Sequence, residues 1–349
     1  MNDTMCALPF MAVDRHFDRI KPCCLYNSDH WQQFASIDQY RDSADLAILQ
    51  MNLLNGNRDP GCAACWKMED IQQMSMRQSI NVSRLAEINL AAPRITQVKL
   101  LVGKICNLAC MMCFSSVSST YQQLWRNEST WIMPLKKSQD LNYDYDMDKY
   151  IREHAGDLRY IEVLGGEPLF SKSFLDLAQH LIDIGVSHNI TLYIITNATL
   201  ITPAMIKTFG RFKKTIFTVS IDGVGTVNEY QRWPSQWKTV DENLIIMTQN
   251  FDVSVLPTVT AINIARLSEL YNYCETRNLV INNTNLVGDW PQLLPSNLPD
   301  TIKSLVDPKF VGFLQGESNT ESLCAFIKKW DRQRGISIGD YMPEWRNVL

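Results

Sequence analysis

The sequence predicts an α/β protein: a partial (β/α)6 barrel, preceded by a small cysteine-rich segment and followed by a helical extension. Three observations predict this class. Apolar runs rich in β-branched residues alternate with helix-like segments between residues 94 and 291, eight of the ten cysteines precede residue 114, and strand character is lost after Pro291. We therefore expect three domains, at residues 1–93, 94–291 and 292–349.

Six runs have the composition of buried strands, and five segments between them have helical spacing. The strands are expected at residues 96–102, 159–164, 190–196, 215–221, 252–261 and 279–287. The helices are expected at residues 117–126, 173–184, 203–209, 236–249 and 264–276. Pro203 directly after Thr202 is typical of a capped helix start. Strands separated by helices form parallel sheets with right-handed crossovers, and such a sheet becomes a partial barrel when it curves.

Two further parts of the chain lie outside this alternation. Residues 127–148 are rich in Trp, Lys, Asp and Tyr, and are expected to form a surface loop, with a substrate lid as the alternative. Residues 298–306 and 320–334 are expected to form helices that pack on the barrel or cover its open mouth.

Composition restricts the class of protein. Among 349 residues, 46% are hydrophobic and 20% are charged, which is ordinary for a soluble globular protein. A net charge of −4 gives no general basic field, so non-specific nucleic-acid binding is not expected. The first ten residues lack the pattern of a secretory signal, and the most apolar stretch, 190–201, is too short to span a bilayer. We therefore expect a cytoplasmic protein without a membrane partner, whose cysteines are metal ligands or free thiols.

The most informative motif is a loop containing Cys106, Cys110 and Cys113, separated by three and then two residues. Three thiolates from one loop leave one iron of a four-iron cluster without a protein ligand, so that iron can bind a cofactor or substrate. Zinc is the alternative, but a structural zinc ion needs a fourth ligand. No His or further Cys lies close by, since the nearest downstream histidine is His154.

A second motif, Gly165-Gly166-Glu167-Pro168, directly follows the expected strand at 159–164. Together the two motifs resemble the radical S-adenosylmethionine (radical SAM) enzymes, over about residues 96–287. The resemblance implies that the three cysteines hold a [4Fe–4S] cluster, which reductively cleaves SAM to a 5′-deoxyadenosyl radical that abstracts hydrogen from the substrate. It also implies that the turn at Gly165 and Gly166 binds the methionyl ammonium of SAM, with Glu167 adding charge.

Further SAM-binding residues follow from the same resemblance. Ser220 and Asp222 match a segment of peptide-modifying radical SAM enzymes that approaches the ribose and methionyl groups. The resemblance pairs Arg232 with the SAM carboxylate, for which a guanidinium fork is well suited, and a solvated helix residue is the alternative. Asn197 and Thr258 are expected to contribute as well, although polar residues at strand edges also occur without a ligand.

These motifs share one position relative to the predicted sheet. The cysteine loop follows the first expected barrel strand, Gly165 the second, Asn197 the third, and Ser220 ends the fourth. Parallel barrels carry their chemistry at the carboxyl ends of their strands. We therefore expect all of these residues on one rim.

The cysteine-rich segment predicts a second metal site. Cys62 and Cys65 form a two-thiolate clip after a Pro-Gly turn, and Cys6 and Cys23 are expected to complete the site. Cys24 is left out, because adjacent cysteines rarely reach one metal with relaxed geometry. The segment resembles the Twitch and SPASM auxiliary-cluster modules of radical SAM proteins, although those usually follow the barrel. The resemblance implies an auxiliary [4Fe–4S] cluster, with zinc as the alternative.

The leading functional hypothesis is an enzyme that modifies a peptide or protein by epimerisation, cross-linking or oxidation. It requires an electron donor such as flavodoxin or ferredoxin. One alternative is a radical SAM dehydrogenase or rearrangement enzyme acting on a small molecule such as a sugar or nucleoside. The other is a metal-stabilised binding scaffold without activity. The sequence identifies no acid, base or hydrogen donor on the substrate side.

Overall fold

A computed structural model describes residues 3–16, 19–125, 140–282, 284–346 and 348. Its strands are β1 (Ala12–His16), β2 (Arg19–Lys21), β3 (Gln97–Leu101), β4 (Tyr160–Leu164), β5 (Thr191–Thr196), β6 (Lys214–Val219), β7 (Asp252–Val255), β8 (Thr258–Val259), β9 (Val280–Ile281) and β10 (Asn285–Leu286). In the described residues, eight of these form one sheet in the order β2-β1-β3-β4-β5-β6-β7-β9, while β8 pairs with β10.

The helices alternate with the strands from β3 onward. They are α1 (Leu8–Met11), α2 (Ile37–Arg41), α3 (Ala44–Leu54), α4 (Ala63–Asp70), α5 (Met76–Arg84), α6 (Ser119–Trp125), α7 (Tyr145–Glu153), α8 (Lys172–Asp183), α9 (Pro203–Phe209), α10 (Thr226–Gln231), α11 (Trp237–Asn250), α12 (Leu267–Thr276), α13 (Asp300–Lys303), α14 (Thr320–Arg334) and α15 (Ile338–Tyr341).

In this eight-stranded sheet, every neighbouring pair from β1-β3 to β7-β9 is parallel, and the edge strand β2 runs antiparallel to β1. This confirms the predicted α/β class, and the sheet is consistent with a partial barrel. Helix α9 has the predicted bounds, because Thr202 caps it by accepting a hydrogen bond from the Met205 amide and Pro203 opens its first turn.

Two predicted strands are each divided. The run at 252–261 forms β7 and β8, separated by Leu256 and Pro257, and the run at 279–287 forms β9 and β10. Pro257 has no N–H to donate to a neighbouring strand, so the ladder with β6 stops before it. The chain then turns away and β8 pairs with β10 outside the main sheet. The prediction of two continuous strands was therefore wrong.

The segment before the barrel contributes to the sheet, which the sequence analysis did not predict. Strand β1 pairs in parallel with β3, with Asp14 opposite Lys99, and β2 folds back on β1. Helix α5 reaches the same sheet, since Arg84 donates to the hydroxyl of Tyr193 at 2.7 Å. Strands β1 and β2 thus extend the edge of the barrel sheet, and helix α5 contacts one of its faces.

Part of the expected loop at 127–148 is helical. Helix α7 begins at Tyr145, capped by Asp144, whose carboxylate accepts from the Met147 amide. Residues 127–139 of that expected loop, and with them the alternative of a lid there, lie outside the described residues.

The chain after the barrel contains one long helix as expected, α14, which packs against α10 through the Tyr230 hydroxyl and Asp331, 2.8 Å apart. The expected helix at 298–306 is shorter, covering Asp300–Lys303. None of the described helices has the length and apolar character needed to cross a bilayer.

Candidate functional site

The loop of Cys106, Cys110 and Cys113 follows β3 and is fixed by backbone hydrogen bonds from distant parts of the chain. The amide of Ala109 donates to the Trp233 carbonyl, and the amide of Met111 donates to the Gln231 carbonyl, each at 2.7 Å. At the start of the loop, the Cys106 amide donates to the Ser119 hydroxyl at 3.2 Å. The end of α10 and the start of α6 therefore set the loop's conformation, and neither contact is visible in the local sequence.

A pocket of about 360 Å³ opens at the carboxyl ends of β3 to β6. Its lining includes all three cysteines of the loop and six of the residues expected to bind SAM: Gly165, Gly166, Glu167, Asn197, Ser220 and Arg232. Apolar side chains complete the wall, among them Leu101, Leu164 and Ile195. Asp222 and Thr258 are not in this lining. We call this cavity the rim pocket.

The glycine turn is joined to the cysteine loop. The Gly166 amide donates to the Gly103 carbonyl and the Glu167 amide donates to the Ile105 carbonyl, both at 2.7 Å. A Cβ at position 166 would overlap the Ile105 carbonyl. The need for glycine here thus comes from close approach to the cysteine loop, so the two motifs form one rigid unit.

Glu167 is fully buried, and three donors satisfy its carboxylate. Its Oε1 accepts from the Thr196 hydroxyl at 2.7 Å and from the Leu169 amide at 3.1 Å, while Oε2 accepts from the Asn197 amide at 2.7 Å. Burial raises the pKa of Glu167 to about 7, although these hydrogen bonds oppose the shift. The carboxylate therefore ties the end of β4 to the end of β5, in addition to lining the pocket.

Asn197, at the end of β5, also contacts the cysteine loop. Its side-chain amide donates to Oδ1 of the Asn107 side chain at 3.0 Å and lies 3.9 Å from the Cys106 sulfur. Ser220 enters the pocket from the end of β6, where its amide donates to the Thr196 carbonyl at 2.8 Å. The glycine turn, Asn197 and Ser220 thus come from the ends of three neighbouring strands.

Arg232 forms a buried ion pair with Asp222. Its Nε lies 2.7 Å from Oδ2, and its Nη2 donates to Oδ1 at 3.0 Å. The remaining Nη1 lies 3.9 Å from the sulfur of Cys110. Burial raises the pKa of the Cys110 thiol well above its usual range, and the guanidinium opposes this shift.

Asp222 and Thr258 stand behind Arg232. The Thr258 amide donates to Asp222 Oδ1 at 2.8 Å, and Asn263 donates to the carbonyls of both residues. These contacts hold Asp222 in place, so that it orients the guanidinium from outside the pocket.

Sequence reasoning missed Trp290, which comes late in the chain. Its ring stacks on Phe114 at 5.5 Å between centroids, and Phe114 lines the rim pocket. The indole N–H donates to the Met112 carbonyl at 2.9 Å. No nearby motif marks this tryptophan, because its role depends on tertiary packing alone.

A second pocket lies in the N-terminal segment, and its lining includes Cys6, Cys23, Cys62 and Cys65. We call it the front pocket. Cys24 is not in its lining: this thiol is exposed, and its sulfur lies 3.9 Å from the Met76 sulfur. Burial raises the pKa of Cys6 and of Cys23 to about 12.

Hydrogen bonds and an ion pair stabilise the front pocket, and they involve Arg77 and Asp59, which the sequence analysis did not single out. Arg77 lines it, donates to the Met5 carbonyl at 2.6 Å, and forms a two-pronged ion pair with Glu69. The Asp59 carboxylate accepts from the Gly61 amide and the Tyr26 hydroxyl. A Cβ at Gly61 would overlap the Tyr26 ring.

Both pockets present thiols as their chief metal-binding groups, and soft thiolate donors suit iron–sulfur clusters and zinc. Among the described residues, no three His, Cys, Asp or Glu side chains converge closely enough to hold a single metal ion. The thiols line the pocket walls instead. By donor chemistry, each set fits a cluster bound by cysteine.

The comparison with protein families decides the class. The profile of the radical SAM superfamily matches residues 100–274, half of the chain. The protein belongs to the radical SAM superfamily. Members are enzymes that use a [4Fe–4S] cluster and SAM, so the expected chemistry and cofactor pair are supported at that level.

Solved structures give more distant matches. The structure of native anSMEcpe with bound AdoMet shares 17% identity at a TM-score of 0.45, covering 69% of this chain and 62% of that one. Streptococcus suis SuiB bound to the precursor peptide SuiA shares 13% identity at a TM-score of 0.40, covering 73% and 52%. The chain therefore spans less than two thirds of either structure. No curated protein matches the sequence.

Proposed function

We propose that this radical SAM protein cleaves SAM at the rim pocket and abstracts hydrogen from a peptide or protein substrate. Cys106, Cys110 and Cys113 would hold the [4Fe–4S] cluster. The observation that carries the proposal is the single cavity of about 360 Å³ that these cysteines share with the glycine turn and with Asn197. Its position at the carboxyl ends of parallel strands is where such sheets place their chemistry.

When bound and reduced, the cluster supplies the electron that splits SAM into methionine and a 5′-deoxyadenosyl radical. The chain's own residues position the partners. We assign Gly165, Gly166, Glu167, Asn197, Ser220 and Arg232 to the SAM site. Asp222 and Thr258 support Arg232 from behind, which revises their expected role as direct ligands.

The apolar part of the rim pocket is proposed to exclude water. Leu101, Leu164 and Ile195 lie on neighbouring strands and face the cavity. A water-poor wall protects a carbon radical from side reactions and strengthens the electrostatic contacts of the polar side.

The front pocket is proposed to hold an auxiliary [4Fe–4S] cluster through Cys6, Cys23, Cys62 and Cys65, with zinc as the competing occupant. Four thiols around one pocket support this proposal. A cluster with four protein ligands has no vacant iron, so its role would be to accept an electron from a product radical. The expected electron donor to the protein is a flavodoxin or ferredoxin.

A peptide or protein substrate is supported by the segment at Ser220 and Asp222 and by the cysteine-rich segment, both of which resemble peptide-modifying enzymes. Conversion of a sugar or nucleoside is the second candidate, since the same core serves it. Incubating the reduced protein with SAM and peptides encoded by neighbouring genes distinguishes the two. A mass change in a peptide supports the first candidate, and its absence favours the second.

Formation of 5′-deoxyadenosine tests the activity itself. The anaerobically reconstituted chain, reduced with dithionite, should release it from SAM, and Cys110→Ala should abolish this release. Cys274→Ala is the matched control, because Cys274 is a buried packing residue of α12. A cluster-loaded protein that releases none would instead be the inactive scaffold.

A further inference from the structure

Side chains on the inner face of the sheet form layers below the rim pocket. Leu101 of β3 and Leu164 of β4 line that pocket. Because side chains alternate along a strand, Lys99 and Glu162, two residues earlier, face the same side about 7 Å deeper. The two are register partners, and Asp14 of β1 is the partner of Lys99 on its other side.

Asp14, Lys99 and Glu162 form what we call the polar layer. The Lys99 ammonium lies 2.8 Å from Asp14 Oδ2 and 3.9 Å from Glu162 Oε2. The Asp14 side chain is only 6% exposed, and its Oδ1 has no hydrogen-bond partner among the described residues. The side-chain oxygen of Gln97, one layer deeper on β3, is likewise buried and without a partner there.

The far side of this layer is closed by helix α5. The Arg84 guanidinium lies 3.2 Å from the ring centre of Tyr160 and donates to the Tyr193 hydroxyl. Nη1 of Arg84 forms an ion pair with Oε1 of Glu87 at 3.8 Å, and Glu87 also accepts a hydrogen bond from the Tyr160 hydroxyl. The polar layer thus lies between the rim pocket and a closed floor.

The layer has more acceptors than donors. Lys21, the partner of Asp14 on β2, donates to the carbonyls of Cys24 and Tyr26, so Lys99 is the ammonium that the two carboxylates share among the described residues. A buried carboxylate oxygen without a donor is costly. Glu162 is 32% exposed, so a ligand can reach the layer. A group that brings N–H donors and positive charge would satisfy Asp14 Oδ1 and Glu162 together. An anionic group would be repelled by both carboxylates.

We propose that the polar layer binds a cationic nitrogen group of the substrate, the ammonium of a lysine or the guanidinium of an arginine side chain. This inference rests on the proposed function and names the substrate feature that the site selects. Binding there places the neighbouring carbon atoms of the substrate between the polar layer and the rim pocket.

Peptide binding tests this without depending on turnover. The probes are acetylated and amidated pentapeptides, Ala-Ala-X-Ala-Ala, with Lys, Arg, Leu or Glu as X, titrated calorimetrically into the anaerobically reconstituted full chain with SAM. The Lys and Arg peptides should bind about tenfold or more tighter than the Leu peptide, as expected for a charged hydrogen bond. The Glu peptide should bind no better than the Leu peptide.

Variants locate the effect. Glu162→Gln should remove most of the preference, and Asp14→Asn should do the same if that variant folds. Glu153→Gln, on the exposed face of α7, should keep it. Equal binding of Lys and Leu peptides, or binding of none, overturns the inference. If the unmodified protein forms no 5′-deoxyadenosine from SAM, the proposed function is overturned instead. The two failures are therefore distinguishable.

Discussion

Nη1 of Arg232 lies 3.9 Å from the sulfur of Cys110, while the rest of the guanidinium is held by Asp222. A fixed positive charge beside a thiolate ligand favours the more negative, reduced form of a cluster. If Cys110 is a cluster ligand, as proposed, Arg232 would also act on the cluster, a role that its expected pairing with the SAM carboxylate did not include.

Replacing Arg232 should therefore make the cluster harder to reduce. Arg232→Met removes the charge, and a redox titration followed by electron paramagnetic resonance (EPR) should find a lower midpoint potential than in the unmodified protein. Arg232→Lys, which keeps a charge but loses the fork, should fall between the two. An unchanged potential in the Met variant would contradict a role toward the cluster.

The same variant has a cost in stability. Arg232→Met leaves the buried Asp222 carboxylate unpaired, and breaking such a pair costs roughly 3–5 kcal/mol. The double variant Arg232→Met with Asp222→Asn removes the unpaired charge and keeps an oxygen that can accept from the Thr258 amide. It should recover much of that loss in a denaturant titration. No recovery would contradict the assignment of the loss to the unpaired Asp222 carboxylate.

Gly166→Ala should disrupt both motifs at once. The added methyl group overlaps the Ile105 carbonyl, so the cysteine loop must shift, at a cost of about 1–3 kcal/mol. Iron incorporation and the free energy of unfolding should both fall. Gly156→Ala is the matched control, since its Cβ would meet nothing within 4 Å. Equal iron content in the two variants would be inconsistent with a joined unit.

Burial of Glu167 predicts a pH dependence of stability in the cluster-free protein. Its pKa is raised from an ordinary 4.5 to about 7, so between these values the folded state binds more protons than the unfolded state. This contribution to the free energy of unfolding therefore falls as pH rises from 4.5 to 7, by an amount on the order of 3 kcal/mol. Glu167→Gln should flatten that part of the curve, and an unaltered slope would refute the assignment.

The front pocket predicts a difference between two cysteines of the same segment. Anaerobic iron and sulfide analysis should find about eight irons in the unmodified protein, and about four in Cys62→Ala. Cys24→Ala should keep about eight, because this thiol lies outside the pocket. Cys62→Ala should still cleave SAM but lose the productive reaction. Full iron content in Cys62→Ala would remove this residue from the ligand set.

The sequence predicted those elements whose signals are local. Helix α9 was predicted with both ends because its cap and proline are adjacent in the chain. The positions of the rim residues at strand ends followed from strand–helix alternation, since parallel strands bring their carboxyl ends together. Strand order alone was therefore enough to predict that Gly165 and Cys106 lie in one site.

Other features depended on contacts between distant residues. Strand β1 pairs with β3 more than eighty residues later, so its composition alone did not distinguish it from a loop. The direction of the Arg232 side chain is set by Asp222 and by the loop around Cys110, and no spacing rule encodes that choice. The polar layer joins Asp14 of the N-terminal segment to Lys99 of the barrel, which only the sheet register reveals.

The EPR spectrum of the reduced, anaerobically reconstituted protein, recorded with and without SAM, tests the central claim most directly. If Cys106, Cys110 and Cys113 leave one iron open to SAM, adding SAM should change the cluster signal, and Asn197→Ala should weaken that change. A reduced-cluster signal that is identical with and without SAM would contradict the account.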